Sequence, residues 1–329
     1  MLLGGVLSYV LRRLGVGAIV IVAVSFLTWL VFATALNPLW QFFQEPHAPE
    51  VEAMRVRAHL HDPVVVRYWL WLKGIFTGQG LGRTVVSNEP VWPQVEHAFV
   101  TTLELIVIST VIVVAASLLV GTVAARRRGS PVDVGLRGFS YVSWAIPAFL
   151  LALLLQHAAV AMANSWHFQP LAIGGPPTPG LGFTANGVKD WFQHMTLPAI
   201  AVALGFVGVY SRYLRTSLLV TLDQPYTTVA RAKGLPERQV MRRHALRNAL
   251  VPFTTVIALE FGTIFAATLA ADYVFGLHGL ASLFLANGLL NGDPYLIEAP
   301  ILLAAVIVVV ASILGDIACA MLDPRLRFG

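Results

Sequence analysis

Apolar residues run along this chain in long unbroken blocks rather than in alternation. Six blocks stand out, at roughly 14–36, 98–125, 138–163, 194–220, 250–275 and 296–322. Each reaches the roughly 20 residues that a helix rising about 1.5 Å per residue needs to cross a hydrocarbon layer about 30 Å thick. Continuous rather than alternating blocks predict helices and not barrel strands, because each backbone amide in lipid must be paired within its own segment. Two polar intervals separate the blocks most widely. Residues 37–97 hold the polar stretch Glu45 to Glu52, then an amphipathic piece with Val64, Val65, Tyr68, Trp69, Leu72 and Ile75, closed by glycines 78, 80 and 82. Residues 164–193 hold Gly174-Gly175-Pro176-Pro177 and Pro179-Gly180, which forbid regular structure and predict a loop, either a connector or a gating or docking element.

Basic residues give the blocks a direction, since Lys and Arg stay preferentially in the cytoplasm during insertion. Arg12 and Arg13 precede the first block, and Arg126, Arg127, Arg128 and Arg137 follow the second. Arg212 and Arg215 close the fourth, Arg231 to Arg247 follow it, and Arg325 and Arg327 end the chain. Both termini are expected in the cytoplasm, which an even number of spans requires. The expected division is a first transmembrane helix at 1–36, an extracytoplasmic segment at 37–97, a core of five further helices at 98–322 and a cytoplasmic tail at 323–329. Within the core, a cytoplasmic loop occupies 221–249.

Composition agrees with a lipid environment. Hydrophobic residues make up 57% of the chain and charged residues 12%, where soluble domains carry about a quarter charged, and mean hydropathy is +0.73. The fold class expected is an all-α polytopic membrane protein with a small extracytoplasmic subdomain between helices 1 and 2. Basic side chains at anionic headgroups account for the net charge of +5, so membrane lipid and no nucleic acid is expected as a partner. Ala33-Thr34-Ala35 has the form of a signal cleavage site, but its apolar stretch is longer than the 7 to 15 residues of a signal peptide. Cys319, the single cysteine, excludes an internal disulfide and a thiolate metal cluster.

Catalytic signatures are absent: no phosphate-binding G-x-x-x-x-G-K-[ST], no H-E-x-x-H and no G-x-S-x-G occurs. His157, His167, His194 and His244 lack ligand spacing, so no metal is expected. Acids in or near apolar blocks are costly unless paired, protonated or facing water. The candidates are Glu104, Glu260, Asp272, Glu298 and Asp316. Glu260 lies half-way along the fifth block and suits pore lining or an interhelical hydrogen bond ahead of proton coupling. Glu104, Asp272 and Glu298 fall near expected outer span ends, where solvation explains them. With Phe275, Glu260 and Asp272 are the candidate pathway or gating residues.

The segment YTTVARAKGLPERQVMRRHALRNALVP, from Tyr226 to Pro252, is markedly basic and helix-patterned. Small residues Ala230, Ala232 and Gly234 alternate with Arg231 and Lys233. Gly234-Leu235-Pro236 then breaks the helix, and a second basic helix runs to Asn248. A cytoplasmic surface of this kind suits a soluble partner.

Val229-Ala230-Arg231-Ala232-Lys233-Gly234-Leu235, followed by His244-Ala245-Leu246-Arg247-Asn248-Ala249-Leu250-Val251-Pro252, resembles the cytoplasmic coupling loop of permease subunits of binding-protein-dependent ABC importers. The likeness is to the first of the two permeases in the dipeptide, oligopeptide and nickel branch. Asp62-Pro63, Tyr68, Trp71, Gly78, Leu81-Gly82 and Pro90-Val91 resemble that branch's external segment, Ile146-Pro147-Ala148-Phe149 its third-span motif, and Leu322-Asp323-Pro324-Arg325 its ending. Departures are the loss of the loop's opening acid, Asp272 in place of a glutamate, Phe275-Gly276-Leu277-His278-Gly279 where Pro-Gly often follows the phenylalanine, and Cys319 in place of a tyrosine.

The resemblance implies a type I ABC importer permease fold in a bacterial inner membrane. It implies three partners: a second homologous permease, one or more ATP-binding subunits and an extracytoplasmic substrate-binding protein. ATP and Mg would sit in the ATP-binding partner, with no cofactor on this chain. Residues 229–235 would be the inserted lever, and His244, Arg247, Asn248 and Pro252 the return into the fifth span. Short peptides are the expected load, though nickel complexes, glutathione and haem remain open. A secondary transporter using intramembrane acids such as Glu260 is the alternative, and it would call for an inverted repeat or further coupling acids.

Overall fold

The apolar blocks fold as helices whose breaks fall where the backbone is chemically interrupted. The computed structural model describes residues 2–42, 44, 48–167, 169–182 and 184–322. Its helices are α1 (Leu2–Ala35), α2 (Pro49–Arg57), α3 (Val64–Phe76), α4 (Val91–Arg126), α5 (Pro131–Ala145), α6 (Ala148–Trp166), α7 (Ala185–Leu222) and α8 (Pro225–Ala232). They continue as α9 (Glu237–Gln239), α10 (Leu246–Leu259), α11 (Phe261–Phe275), α12 (Leu280–Ser282) and α13 (Pro294–Leu322). Wider π-type turns cover Val240–Ala245 and Leu283–Leu289. Among the described residues five helices are singly long and apolar enough to cross a membrane, and there are six if the bent pair, Glu237–Leu259 with Phe261–Phe275, is one broken span.

Two of the expected spans need correction. The block at 138–163 is two elements, because Ile146 is extended (φ −90°, ψ 123°) before Pro147, whose ring excludes helical backbone at the preceding residue. Only α6 there has spanning length. The block at 250–275 is bent by 53° at Glu260, which ends α10 while its carbonyl accepts from the amides of Thr263 and Ile264 that open α11. The ending Asp323-Pro324-Arg325 and the tail at 323–329 lie outside the described residues.

The chain divides into two compact units. One comprises residues 1–10, 105–275 and 310–329. Its axis is α7, around which α5, α6, α10 and α11 pack. Close approaches are made by residues without a Cβ. A methyl on Gly208 would meet Ser143 Oγ and the Ser140 backbone, and one on Gly121 would meet the Ser211 carbonyl at 2.8 Å. In this unit the loop between α6 and α7 is tethered: the Gly175 amide donates to the Phe275 carbonyl at 2.8 Å, and Gln156 Nε2 donates to the carbonyls of Ile173 and Val274.

The other unit comprises residues 11–104 and 276–309. Trp29 of α1 stacks on Trp71 of α3 at 5.4 Å, and Ser25 shares a 3.2 Å hydrogen bond with the Tyr68 hydroxyl. The inward face of α3 therefore carries Tyr68 and Trp71, while Trp69 of the expected apolar face is exposed. A small core of Leu39, Val51, Ala58 and Val85 closes the segment between α1 and α4. The Asp293 carboxylate caps α13, accepting from the amides of Tyr295 and Leu296, and also holds the Val85 amide at 2.7 Å. Burial pushes its pKa up while those three amides pull it down.

Candidate functional site

The basic loop begins where α7 runs out of apolar sequence. Pro225 sits in the first turn of α8, where its missing amide costs nothing. Thr227 Oγ1 donates to the carbonyls of Leu222 and Gln224, both at 2.7 Å, and so folds α8 back against the end of α7. At the other end the Leu235 amide reaches the Ala230 carbonyl at 3.3 Å and the Gly234 amide the Arg231 carbonyl at 2.9 Å. This pair of bonds is a Schellman cap, and it needs a left-handed residue, which Gly234 supplies at φ +81°.

The loop is also cross-braced by side chains. Arg231 forms a two-pronged pair with Glu237, Nε to Oε2 and NH2 to Oε1, each 3.0 Å. Asn248 Nδ2 donates to the Tyr226 hydroxyl at 2.9 Å, tying α10 to α8 across the loop. Burial then sorts the sequence-assigned residues. Thr227 and Ala230 face inward, Leu235 and His244 are half-buried, and Val229, Arg231, Ala232, Lys233, Gly234, Arg247, Asn248 and Pro252 are exposed.

The outward face of α8 is thus Tyr226, Val229, Ala232 and Lys233. Ala230 belongs to the loop's own packing rather than to a small-residue face, and the Arg231 charge is met by Glu237. Glu237 is the one acid between Gln224 and Leu259 and is already paired, while the basic residues Lys233, Arg238, Arg242, Arg243 and Arg247 are exposed and make no ion pair among the described residues. An exposed apolar spot at Val229 and Ala232 beside Lys233, in a markedly basic loop, suits a groove with an acidic rim.

Residue identity at Gly234 is therefore testable. Gly234→Val places a branched side chain in the left-handed region at a cost of roughly 1–2 kcal/mol, and nothing lies within 4 Å of the added Cβ, so the effect is confined to the cap. On the coupling role that the resemblance implies, uptake should fall while membrane insertion is unchanged, as read by transport assay and by membrane fractionation.

The base of α7 is held by a pair that the sequence did not single out. Arg215 donates Nε to Asp133 Oδ1 at 2.6 Å and NH2 to Oδ2 at 2.7 Å, and the Asp133 side chain is fully buried. Ser130 caps α5 by accepting from the Asp133 amide, and the Gly129 amide donates to Oδ2. The guanidinium of Arg215 holds the Asp133 carboxyl below the usual carboxylate range. The pair's contribution is complete above the unfolded value of about 4 and is lost only as pH falls through the depressed one.

The three pathway candidates do not form one cluster. Phe275 and Asp272 are buried in the α11 packing, Asp272 completely, so solvation at a span end does not explain Asp272. Glu298, in the other unit, is also buried and accepts from Thr28 Oγ1 at 3.0 Å. Glu260 is half-buried at the bend. Its carboxylate is the acidic group facing the Tyr210 hydroxyl of α7, which is buried and makes no hydrogen bond of standard geometry. That neighbour favours interhelical contact over proton coupling. Glu260→Gln keeps the shape and polarity and should leave transport intact; loss of transport with the carboxamide would restore the proton-coupled reading.

Comparison with known proteins gives the context for this geometry. Residues 117–328 match the family model described as binding-protein-dependent transport system inner membrane component, and residues 6–109 match its companion for the N-terminal part of such membrane components. The chain is 28% identical over 323 residues to the oligopeptide transport system permease protein OppB of Mycobacterium tuberculosis, covering 97% of this chain and 98% of that one. It is likewise 28% identical over 323 residues to the oligopeptide transport system permease protein AppB of Bacillus subtilis, covering 98% and 99%. Among solved structures, the inward-facing MetNI methionine ABC transporter matches with a TM-score of 0.55 at 15% identity, over 71% of this chain and 99% of that chain. At that identity the likeness concerns the fold.

Proposed function

The chain belongs to the family of binding-protein-dependent transport system inner membrane components, and from that premise we propose that it carries short peptides across a bacterial inner membrane. As a family member it is a multi-pass permease subunit of an ABC importer, a transport component and not an enzyme, which displaces the secondary-transporter alternative. The observation that carries the peptide reading is similarity along nearly the whole chain to two proteins named as oligopeptide permeases.

In this reading both termini and α8 face the cytoplasm. A second, homologous permease completes the pathway, a substrate-binding protein delivers the load from outside, and ATP with Mg is bound and hydrolysed in a separate ATP-binding subunit. Residues 229–235 transmit the closure of that subunit, and His244, Arg247, Asn248 and Pro252 carry the displacement into α10. Support for the lever comes from its construction. Its axis is fixed at one end by Thr227 and at the other by the Gly234 cap, and its outward face sets apolar Val229 and Ala232 beside exposed Lys233. A helix so held moves as a body and does not unwind when pulled.

Reconstitution of the chain with its neighbouring permease, ATP-binding and binding-protein partners in liposomes tests the reading directly. Labelled di- to pentapeptides should accumulate only with ATP inside the nucleotide compartment and binding protein outside. Stimulation of ATP hydrolysis by a nickel complex, glutathione or haem, with none by any peptide, would replace peptides as the load.

A further inference from the structure

The unit of residues 11–104 and 276–309 contains a basic cleft that neither the loop nor the pathway candidates use. It has a volume of about 690 Å³, its walls include Arg57, Arg67, Lys73 and Arg83, and no Asp or Glu lines it. The nearby acids are occupied: Asp62 holds His59 at 3.0 Å, and Glu52 pairs with His61 and Arg55. Arg83 is bonded to Asn88 through Nε. Arg57 and Lys73 make no side-chain hydrogen bond or ion pair among the described residues and are exposed.

Arg67 is the unusual member. It is 8% exposed, its Nε is buried without a hydrogen-bond partner, and its guanidinium lies 5.9 Å from the Trp29 ring centre. A buried guanidinium normally has its planar donors met by an anion, and leaving them unmet costs the desolvation of a charge. Desolvation lowers the Arg67 pKa, with Tyr295 and Asp62 opposing it.

The surroundings describe the ligand. Arg67, Leu70 and Lys73 follow one another at helical spacing on α3 and all line the cleft, so one apolar side chain stands between two cations. Trp71 and Tyr295 add aromatic wall, and Trp69 and Phe76 of the same helix project outward. Trp29, whose ring the Arg67 guanidinium approaches, lies about 9 Å from the C-terminal end of α1. The opening at the floor is permitted by Gly82: a Cβ there would come within 3.0 Å of the Tyr295 ring.

We propose that this cleft binds a phosphate group, the chemistry shared by an anionic lipid headgroup and free phosphate, with Arg67 as the buried fork and Arg57 and Lys73 as the outer cations. The apolar step at Leu70 leaves room for the glycerol and first methylenes when the phosphate belongs to a lipid.

Native mass spectrometry of the full-length protein in mild detergent tests this. The probes are phosphatidylglycerol, phosphatidylcholine, whose choline cancels the phosphate charge, and inorganic phosphate. Phosphatidylglycerol should be retained at least about tenfold more tightly than phosphatidylcholine, in line with the worth of two to three charge contacts. The double variant Arg57→Gln/Lys73→Gln should lose that preference with its melting temperature unchanged, and Arg67→Lys should keep part of it where Arg67→Gln keeps none. A rise in melting temperature with inorganic phosphate alone assigns the site to the free anion, and retention of phosphatidylglycerol without such a rise assigns it to lipid. Equal retention of both lipids with no response to phosphate overturns the proposal. So does binding confined to a polyglutamate peptide, which would make the cleft a docking point for an acidic protein.

Discussion

Val229→Glu should abolish ATP-dependent uptake while the protein inserts, folds and pairs with its sister permease as before. Val229 is 52% exposed on the outward face of α8, so the substitution removes little internal packing and adds a charge that water can solvate. Under the proposed coupling role, its effect falls on the partner groove that would receive the helix. Burying a carboxylate against an apolar pocket with an acidic rim combines desolvation with like-charge repulsion, and central interface positions of this kind cost 2 kcal/mol or more, about a thirtyfold or larger loss of affinity. The ATP-binding subunit should no longer copurify, and ATP hydrolysis should become independent of the permease. Uptake at the original level would remove α8 as the coupling helix. Lys233→Glu is the companion: it alters the ring of charge rather than the apolar centre, so it should weaken association more at low salt than at high salt.

Asp133→Ala should destabilise the core unit more than any other single change considered. The carboxylate accepts from both prongs of Arg215 and from the Gly129 amide, and its side chain has no exposed surface. Truncation strands the largely buried guanidinium of Arg215, and breaking a buried pair by removing one partner typically costs about 3–5 kcal/mol. The expected readout is a large drop in melting temperature and poor recovery from membranes. Replacing both partners, Asp133→Leu with Arg215→Met, should recover much of the loss, because no unpaired charge remains. A double variant as unstable as the single one would mean that α5 and α7 are held chiefly by the close approach at Gly208 and not by the pair.

The number of crossings was legible in the sequence because an apolar block of membrane length has few other uses, and the loop was legible because basic residues and Gly234-Leu235-Pro236 punctuate it strongly. The breaks inside the blocks were not. Ile146-Pro147 sits between apolar neighbours on both sides, so hydropathy runs straight through a point where the backbone cannot remain helical, although the proline itself was a usable signal. At Glu260 the acid drew notice for its charge, whereas its effect on the backbone is to end one helix and begin another. Asp133 and Arg215 lie far apart in the chain, and only folding α5 onto α7 brings them together. Ala230 illustrates a different limit. A small residue serves equally well in an interface and in tight internal packing, and spacing alone does not distinguish the two. Tyr226 and Glu237, which brace α8, are unremarkable in sequence for the same reason: their partners Asn248 and Arg231 are defined by the turn between them.

Under the proposed coupling role of the loop, the 53° bend at Glu260 sets the kind of motion it would deliver. If α10 and α11 were collinear, a push on the loop would only slide α11 along its axis. With the bend, α10 acts as the shaft of a crank and α11 as its arm. At about 1.5 Å per residue α11 is about 22 Å long, so its far end stands about 18 Å off the α10 axis, and a turn of α10 by about 10° sweeps that end sideways by about 3 Å. Phe275 is at that end, and its carbonyl holds the Gly175 amide of the loop on α7. A small twist of α10 would thereby become a lateral stroke at the far end of α11, geared up by the bend and handed directly to the loop that follows α6.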